Sequence, residues 1–207
     1  MKVLQDLNVS ELKTLLGEYG EKPYRAEQIF KGLAAGRSIS EITNISKELR
    51  DRLKTEYADA AAEIIETKRS EIDGTEKHLV RLWDGNVIET VVMKYKYGIT
   101  QCVSTQVGCR MGCAFCASGI GGLVRNLTAG GIYSEGAVVK RLLGGTLDKR
   151  SVTNIVLMGS GEPLDNYDEV IKFLRLLSDE KGLNVSPRNV SLSTSGLVPN
   201  MYRLAEE

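Results

Sequence analysis

One histidine, His78, one tryptophan, Trp83, and four cysteines confined to residues 102–116 are the scarcities that bound this 207-residue chain. With a single histidine, far upstream of the thiols, mixed Cys/His zinc motifs have no second knuckle to draw on. Charge of one sign is also missing: 27 basic residues balance 27 acidic ones. Bulk charge therefore supplies none of the nonspecific phosphate affinity that excess Lys and Arg provide. The local groups Lys68-Arg69, Lys94 with Lys96, and Lys149-Arg150 read as solvated surface or, at most, small patches. No apolar run approaches the length of a membrane span, and Met1 to Asp6 opens without an apolar leader core. Thiols without a leader point to a reducing compartment. The chain reads as soluble and cytoplasmic, without membrane contact. Low-complexity tracts and repeats are absent, and 42% apolar with 26% charged residues is ordinary globular composition.

What is present is a spacing. Cys109, Cys113 and Cys116 stand as C-x3-C-x2-C, and Cys102 lies seven residues upstream. Three closely spaced thiolates match a loop that wraps three irons of a 4Fe–4S cube and leaves the fourth without a protein ligand. Electron-transfer clusters close the cube with four. An open iron can bind a small molecule through an amine and a carboxylate. A zinc site and a disulfide pair are the competing readings of these thiols. Gly108 and Gly112 allow tight turns between ligands, and Phe115 is placed to shield a cluster from water.

Around the cysteines the resemblance becomes specific. The stretches Cys102 to Cys109, Arg125 to Thr128, Thr153 to Asn166 (with Met158-Gly159-Ser160-Gly161-Glu162-Pro163) and Ser186 to Pro199 follow one another in order. Together they resemble the radical S-adenosylmethionine superfamily and, within it, the RNA adenine-C2 methyltransferases of large-subunit ribosomal RNA and transfer RNA. The likeness is strong over about residues 85–207 and loose over 1–84. Arg110 stands where a smaller residue is common; Ser118, Ser160 and Gly131 also depart from the usual pattern.

Three regions are expected. Residues 1–60 read as a helical accessory domain, with Leu12, Leu15, Leu16 and Tyr19 at helical spacing before Gly20. Pro23 can open a second helix carrying Ile29, Phe30 and Leu33, and Ser40 or Ser46 can cap a third with Leu49 and Leu53. Residues 61–98 read as a β-hairpin extension turning at Asp73-Gly74 and Asp84-Gly85, with Trp83 in hairpin packing and His78 structural or at the surface. Residues 99–207 alternate strand and helix, which predicts an α/β fold: an incomplete (βα) radical-SAM barrel. Catalytic groups then belong on loops at the carboxyl ends of the strands.

The resemblance implies roles residue by residue. Cys109, Cys113 and Cys116 ligate the 4Fe–4S cluster, whose open iron chelates S-adenosyl-L-methionine. One electron then cleaves the cofactor to a deoxyadenosyl radical, chemistry suited to an adenine C2 carbon that polar methyl transfer cannot attack. Gly161 and Glu162 bind the methionyl end, Ser193 contacts the cofactor, and Ser195 is a weaker candidate. Glu89 matches an acidic proton acceptor. Cys102 resolves a covalent protein–RNA intermediate and then forms a disulfide with a methyl-carrying cysteine nearer the C-terminus. The implied partners are ribosomal and transfer RNA and a reducing electron-donor protein.

No cysteine follows Cys116, and residues 117–207 hold about three βα units at roughly 30 residues each. The expectation is therefore the N-terminal portion of a longer enzyme, inactive alone, or a short relative with lost activity. The alternatives are a C8-methylating resistance paralogue, a radical enzyme acting on a small molecule, and a non-catalytic RNA- or ribosome-binding relative holding a structural cluster.

Overall fold

Apolar residues three and four apart wind the first part of the chain into three short helices. In this computed structural model, which describes residues 1–145 and 151–207, they are α1 (Val9–Glu18), α2 (Tyr24–Ala34) and α3 (Lys47–Glu56). Lys149-Arg150 lie outside the described residues. Asn8 caps α1 in a reciprocal box with Glu11: the Glu11 N–H donates to Asn8, and the Asn8 N–H to Glu11. Leu12 and Leu16 are fully buried, while Leu15 and Tyr19 pack at the margin. Ser46, not Ser40, caps α3, accepting from the Leu49 N–H.

Among the described residues eight strands follow: β1 (Ala62–Arg69), β2 (Glu76–Leu82), β3 (Val87–Tyr95), β4 (Gly98–Cys102), β5 (Gln106–Gly108), β6 (Leu123–Asn126), β7 (Asn154–Leu157) and β8 (Val190–Leu192). Six form one sheet in the order β1-β2-β3-β4-β7-β8. The extension is more than a hairpin. β1 to β4 run as an antiparallel meander, and β4 then pairs in parallel with β7, and β7 with β8. One continuous sheet thus carries both the extension and the βα units. The sheet does not close, and β1 and β8 are its edges. This is the α/β architecture expected from the alternating pattern.

Helices α4 (Ala129–Leu142, capped by Thr128), α5 (Tyr167–Leu177) and α6 (Val198–Leu204) complete the chain. Ile88, Val92, Ile155 and Leu157 from the sheet, Val103 just after β4, Ile132, Tyr133 and Phe173 from α4 and α5, and Leu12, Ile29 and Leu33 from the first helices share one buried cluster. The N-terminal helices are therefore seated on the sheet's helical layer. Arg141 of α4 forks onto Glu41 at 2.7 Å through each of two nitrogens, and donates to the Gly36 carbonyl. That fork holds the Glu41 carboxyl down to about 2. Among the described residues, no helix is long and apolar enough to cross a membrane.

His78 is structural. It is fully buried, with Nδ1 2.8 Å from the Thr67 hydroxyl, and burial pulls its pKa below the ordinary range. Trp83 is 40% exposed, so the hairpin buries only part of its ring.

Candidate active site at the carboxyl ends of the parallel strands

Strand register decides which side chains meet. Thr90 and Val92 of β3 and Gln101 of β4 are buried under the helices. Val91 lies opposite Cys102, and Cys102 beside Val156 of β7. Directly opposed residues share a face, so these three project from the other, uncovered side of the sheet. Glu89, two residues before Val91, projects from that side too. The geometry thus brings together Glu89 and Cys102, thirteen residues apart in sequence.

Cys102 is half-buried, and burial pushes its thiol above the ordinary range. A hydrogen bond from the Met158 N–H opposes this, and the Glu135 carboxyl adds to it. The Glu89 carboxylate is half exposed and ion-paired with Lys77 at 2.8 Å. Its own carbonyl accepts from the Ser104 hydroxyl at 2.7 Å, and that hydroxyl accepts from the Ser160 N–H at 3.0 Å. One serine therefore ties the ends of β3, β4 and β7.

The three remaining cysteines ride on a structure too short for sequence periodicity to reveal. β5 and β6 form a two-stranded ribbon, and the cysteine loop is its tip. Gly108 sits at φ +74°, and the Cys109 N–H donates to the Gly122 carbonyl at 3.1 Å across the base of the loop. Cys109 and Cys113 are half-buried and Cys116 is exposed. Phe115 is 94% exposed. Among the described residues, no three His, Cys, Asp or Glu side chains converge at metal-ligand geometry. The donor set nonetheless suits an iron–sulfur cube. It offers three soft thiolates on one exposed loop, with Cys102 held apart on β4.

Glu162, expected at the methionyl end of the cofactor, is buried, with only 4% of its surface exposed. One carboxylate oxygen accepts from the Leu164 N–H at 3.0 Å and the Thr194 hydroxyl at 2.7 Å; the other accepts from the Ser195 N–H at 2.6 Å. It thereby joins the loops after β7 and β8. A carboxylate has about four acceptor positions, so one remains for a ligand. Gly161, at φ +104°, lies against β5, where a Cβ would stand 2.7 Å from the Gln106 nitrogen. Ser193 and Ser195 are exposed at the end of β8. Ser195 acts here through its backbone, while the Ser193 N–H donates to the Leu157 carbonyl.

Glu135 was not singled out by sequence reasoning. The available signal is its place with Ile132 and Val139 on the buried stripe of α4. Its side chain is fully buried behind β4, and both oxygens face the Ser104 N–H, at 3.2 and 3.1 Å. Burial pushes its carboxyl well above the ordinary range; hydrogen bonds from Ser104 and Thr90 offset this only in part. A raised folded pKa means no cost below about pH 4.5, where both states are protonated, and a growing cost above it as the unfolded chain ionises first. Glu135→Gln keeps the acceptor and removes the titration. Its thermal stability should equal the parent's near pH 4 and exceed it increasingly toward pH 8, by about 1–3 kcal/mol. Melting curves across that range check this, and a pH-independent difference contradicts it.

Two family models match the chain. Residues 3–58 match the family described as the ribosomal RNA large subunit methyltransferase N-terminal domain, and residues 103–207 match the radical SAM superfamily. A "probable dual-specificity RNA methyltransferase RlmN" of Lachnoclostridium phytofermentans is 49% identical over 206 residues, covering 99% of this chain and 56% of the relative. A protein of the same description from Clostridium perfringens is 49% identical over 209 residues, covering 100% of this chain and 59% of the relative. The crystal structure of a radical SAM methyltransferase from Sphaerobacter thermophilus superposes with a TM-score of 0.88 at 41% identity, over all of this chain and 61% of that one. The chain thus spans somewhat more than half the length of these relatives.

Proposed function

The chain belongs to the RlmN-type family of radical S-adenosylmethionine RNA methyltransferases, and on that premise we propose that it serves in methylating C2 of adenine in large-subunit ribosomal RNA and transfer RNA. The observation that carries this is spatial. Three thiols on the tip of a ribbon that follows β4, a buried acid joining the loops after β7 and β8, and a thiol and a carboxylate on the uncovered face gather beside the carboxyl ends of the parallel strands.

Cys109, Cys113 and Cys116 would hold the 4Fe–4S cluster. When bound, the cluster and S-adenosylmethionine supply the one-electron chemistry that an electron-poor aromatic carbon requires. Gly161 gives the loop its close approach to β5, and the free acceptor position of Glu162 would accept from the cofactor's ammonium group. Ser193, exposed at the end of β8, offers a hydroxyl beside it. Cys102, a half-buried thiol on the uncovered face, would resolve the covalent protein–RNA intermediate: its sulfur forms a disulfide with the methyl-carrying cysteine nearer the C-terminus as the bond from that cysteine to RNA breaks. Glu89 takes the proton from the adenine carbon, with Lys77 holding its carboxylate in place. The units proposed are an accessory domain over 1–60, the extension over 61–98 and barrel units over 99–207. A reducing electron-donor protein and a cytoplasmic setting complete the proposal.

Gene deletion in the host tests it. Nucleoside mass spectrometry should show 2-methyladenosine lost from both ribosomal and transfer RNA, and restored by the intact gene. Its persistence in both RNAs, or loss of 8-methyladenosine in its place, overturns the assignment.

A further inference from the structure

The cysteine loop has few attachments. Between Cys109 and Gly121, most backbone hydrogen bonds stay within the loop or reach Gly122 at its base. Among the described residues, its side-chain links to the rest of the chain are two. Ser118 reaches the Ser160 hydroxyl at 3.5 Å, a marginal distance, and Arg110 forks onto Asp165. The fork is bidentate, with Nε at 3.0 Å from one carboxylate oxygen and a terminal nitrogen at 2.5 Å from the other. Arg110 is 63% exposed, but Asp165 is only 9% exposed. Asp165 also accepts from the Gln106 amide at 2.9 Å. That amide donates to Asn126 at 2.8 Å as well, and its oxygen accepts the Glu162 N–H at 2.9 Å. Gln106 thus bridges both strands of the ribbon and the Gly161–Glu162 loop. The Arg110 fork holds the Asp165 carboxyl below its ordinary range.

We propose that Arg110 is a positioning residue: its fork onto Asp165, relayed by Gln106, fixes the cysteine loop in register with the Gly161–Glu162 loop. The fork sets the orientation of the three thiols before anything binds them. The fit is chemical as well as geometric. Guanidinium matches carboxylate through two parallel bonds, so it fixes angle as well as distance, which the single-point ammonium of lysine cannot do. Ser118 cannot substitute, because one long hydroxyl contact leaves the tip free to swing about the ribbon. The link to a cluster rests on the proposed function; the bracing of the loop does not.

The experiment uses the intact chain with Arg110→Ala, Arg110→Lys and Asp165→Asn. Without iron, backbone amide exchange over residues 109–121 and the alkylation rates of Cys109, Cys113 and Cys116 are followed by peptide mass spectrometry. Arg110→Ala and Asp165→Asn should raise both by about tenfold, and Arg110→Lys by less, with exchange in β3 and β4 unchanged. After anaerobic reconstitution, the same order should hold for iron extraction by a chelator and for loss of the spectral change that S-adenosylmethionine induces in the reduced cluster. Unchanged exchange and alkylation in Arg110→Ala overturn the brace. So does a uniform rise across the whole chain, which would mark a general stability effect. If the parent takes up no iron, the cluster assignment falls, while the iron-free measurements still decide the brace.

Discussion

Alanine at any one of Cys109, Cys113 and Cys116 is expected to bring iron per chain to background after anaerobic reconstitution, and alanine at Cys102 to leave it unchanged. The difference follows from where the sulfurs stand. The first three share the tip of the β5–β6 ribbon, in an exposed loop that offers no histidine and no carboxylate as a replacement ligand. A cube held by three thiolates and already short of a fourth has no spare donor, so each removal is decisive. Cys102 sits on β4 between Val91 and Val156, half-buried, and takes a hydrogen bond from the Met158 backbone. Iron analysis together with the brown cluster absorbance reads the result. Loss of iron in Cys102→Ala, or retention in any of the other three, would exchange the roles assigned here.

Gly108→Ala is expected to damage the same loop without touching a ligand. The position needs φ +74°, which alone costs about 1 kcal/mol for a residue with a side chain. A methyl there would stand 2.0 Å from the Gly122 carbonyl oxygen, the acceptor for the Cys109 N–H at the base of the loop. The ribbon must open to admit it. Strain and overpacking together should cost about 2–4 kcal/mol, or roughly 5–10 °C in melting temperature, with iron uptake lost alongside. Gly112→Ala is the control. It has a similar φ of +70° but meets nothing within 4 Å, so only the conformational cost of about 1 kcal/mol should appear. Equal melting temperatures for the two variants would show that the ribbon base yields without penalty.

The parts of this molecule legible in its sequence are those set by local spacing. Leu12 and Leu16, or Leu49 and Leu53, bury because a helix of 3.6 residues per turn lays them on one side, and Asn8 and Ser46 accept the first free amides. The cysteine pattern is legible for the same reason: a loop that wraps a cluster is local. What escapes is whatever depends on distant partners. β5 and β6 are three and four residues long and carry Gln106 and Asn126, so no alternation announces them. The burial of Glu162 likewise depends on Thr194 and Ser195, more than thirty residues away, which donate to its carboxylate.

The pairing of β3 with β4 has a consequence for how this sequence can vary. Glu89 shares the uncovered side with Cys102 only because Val91 stands opposite that cysteine. A single residue inserted between Lys96 and Gly98, if absorbed by sliding β3, would turn Glu89 into the helical layer and bring Ile88 and Thr90 out. The turn cannot easily swell instead. Gly98 lies so close to Thr153 that an added Cβ would meet its hydroxyl at 2.1 Å. At the Asp84-Gly85 turn nothing lies within 4 Å of where a Gly85 side chain would begin, but Asp84 is ion-paired with Arg125 of β6 at 2.6 Å. A change of length should therefore be purged at the Lys96–Gly98 turn, although that turn lies at the end of β4 away from Cys102.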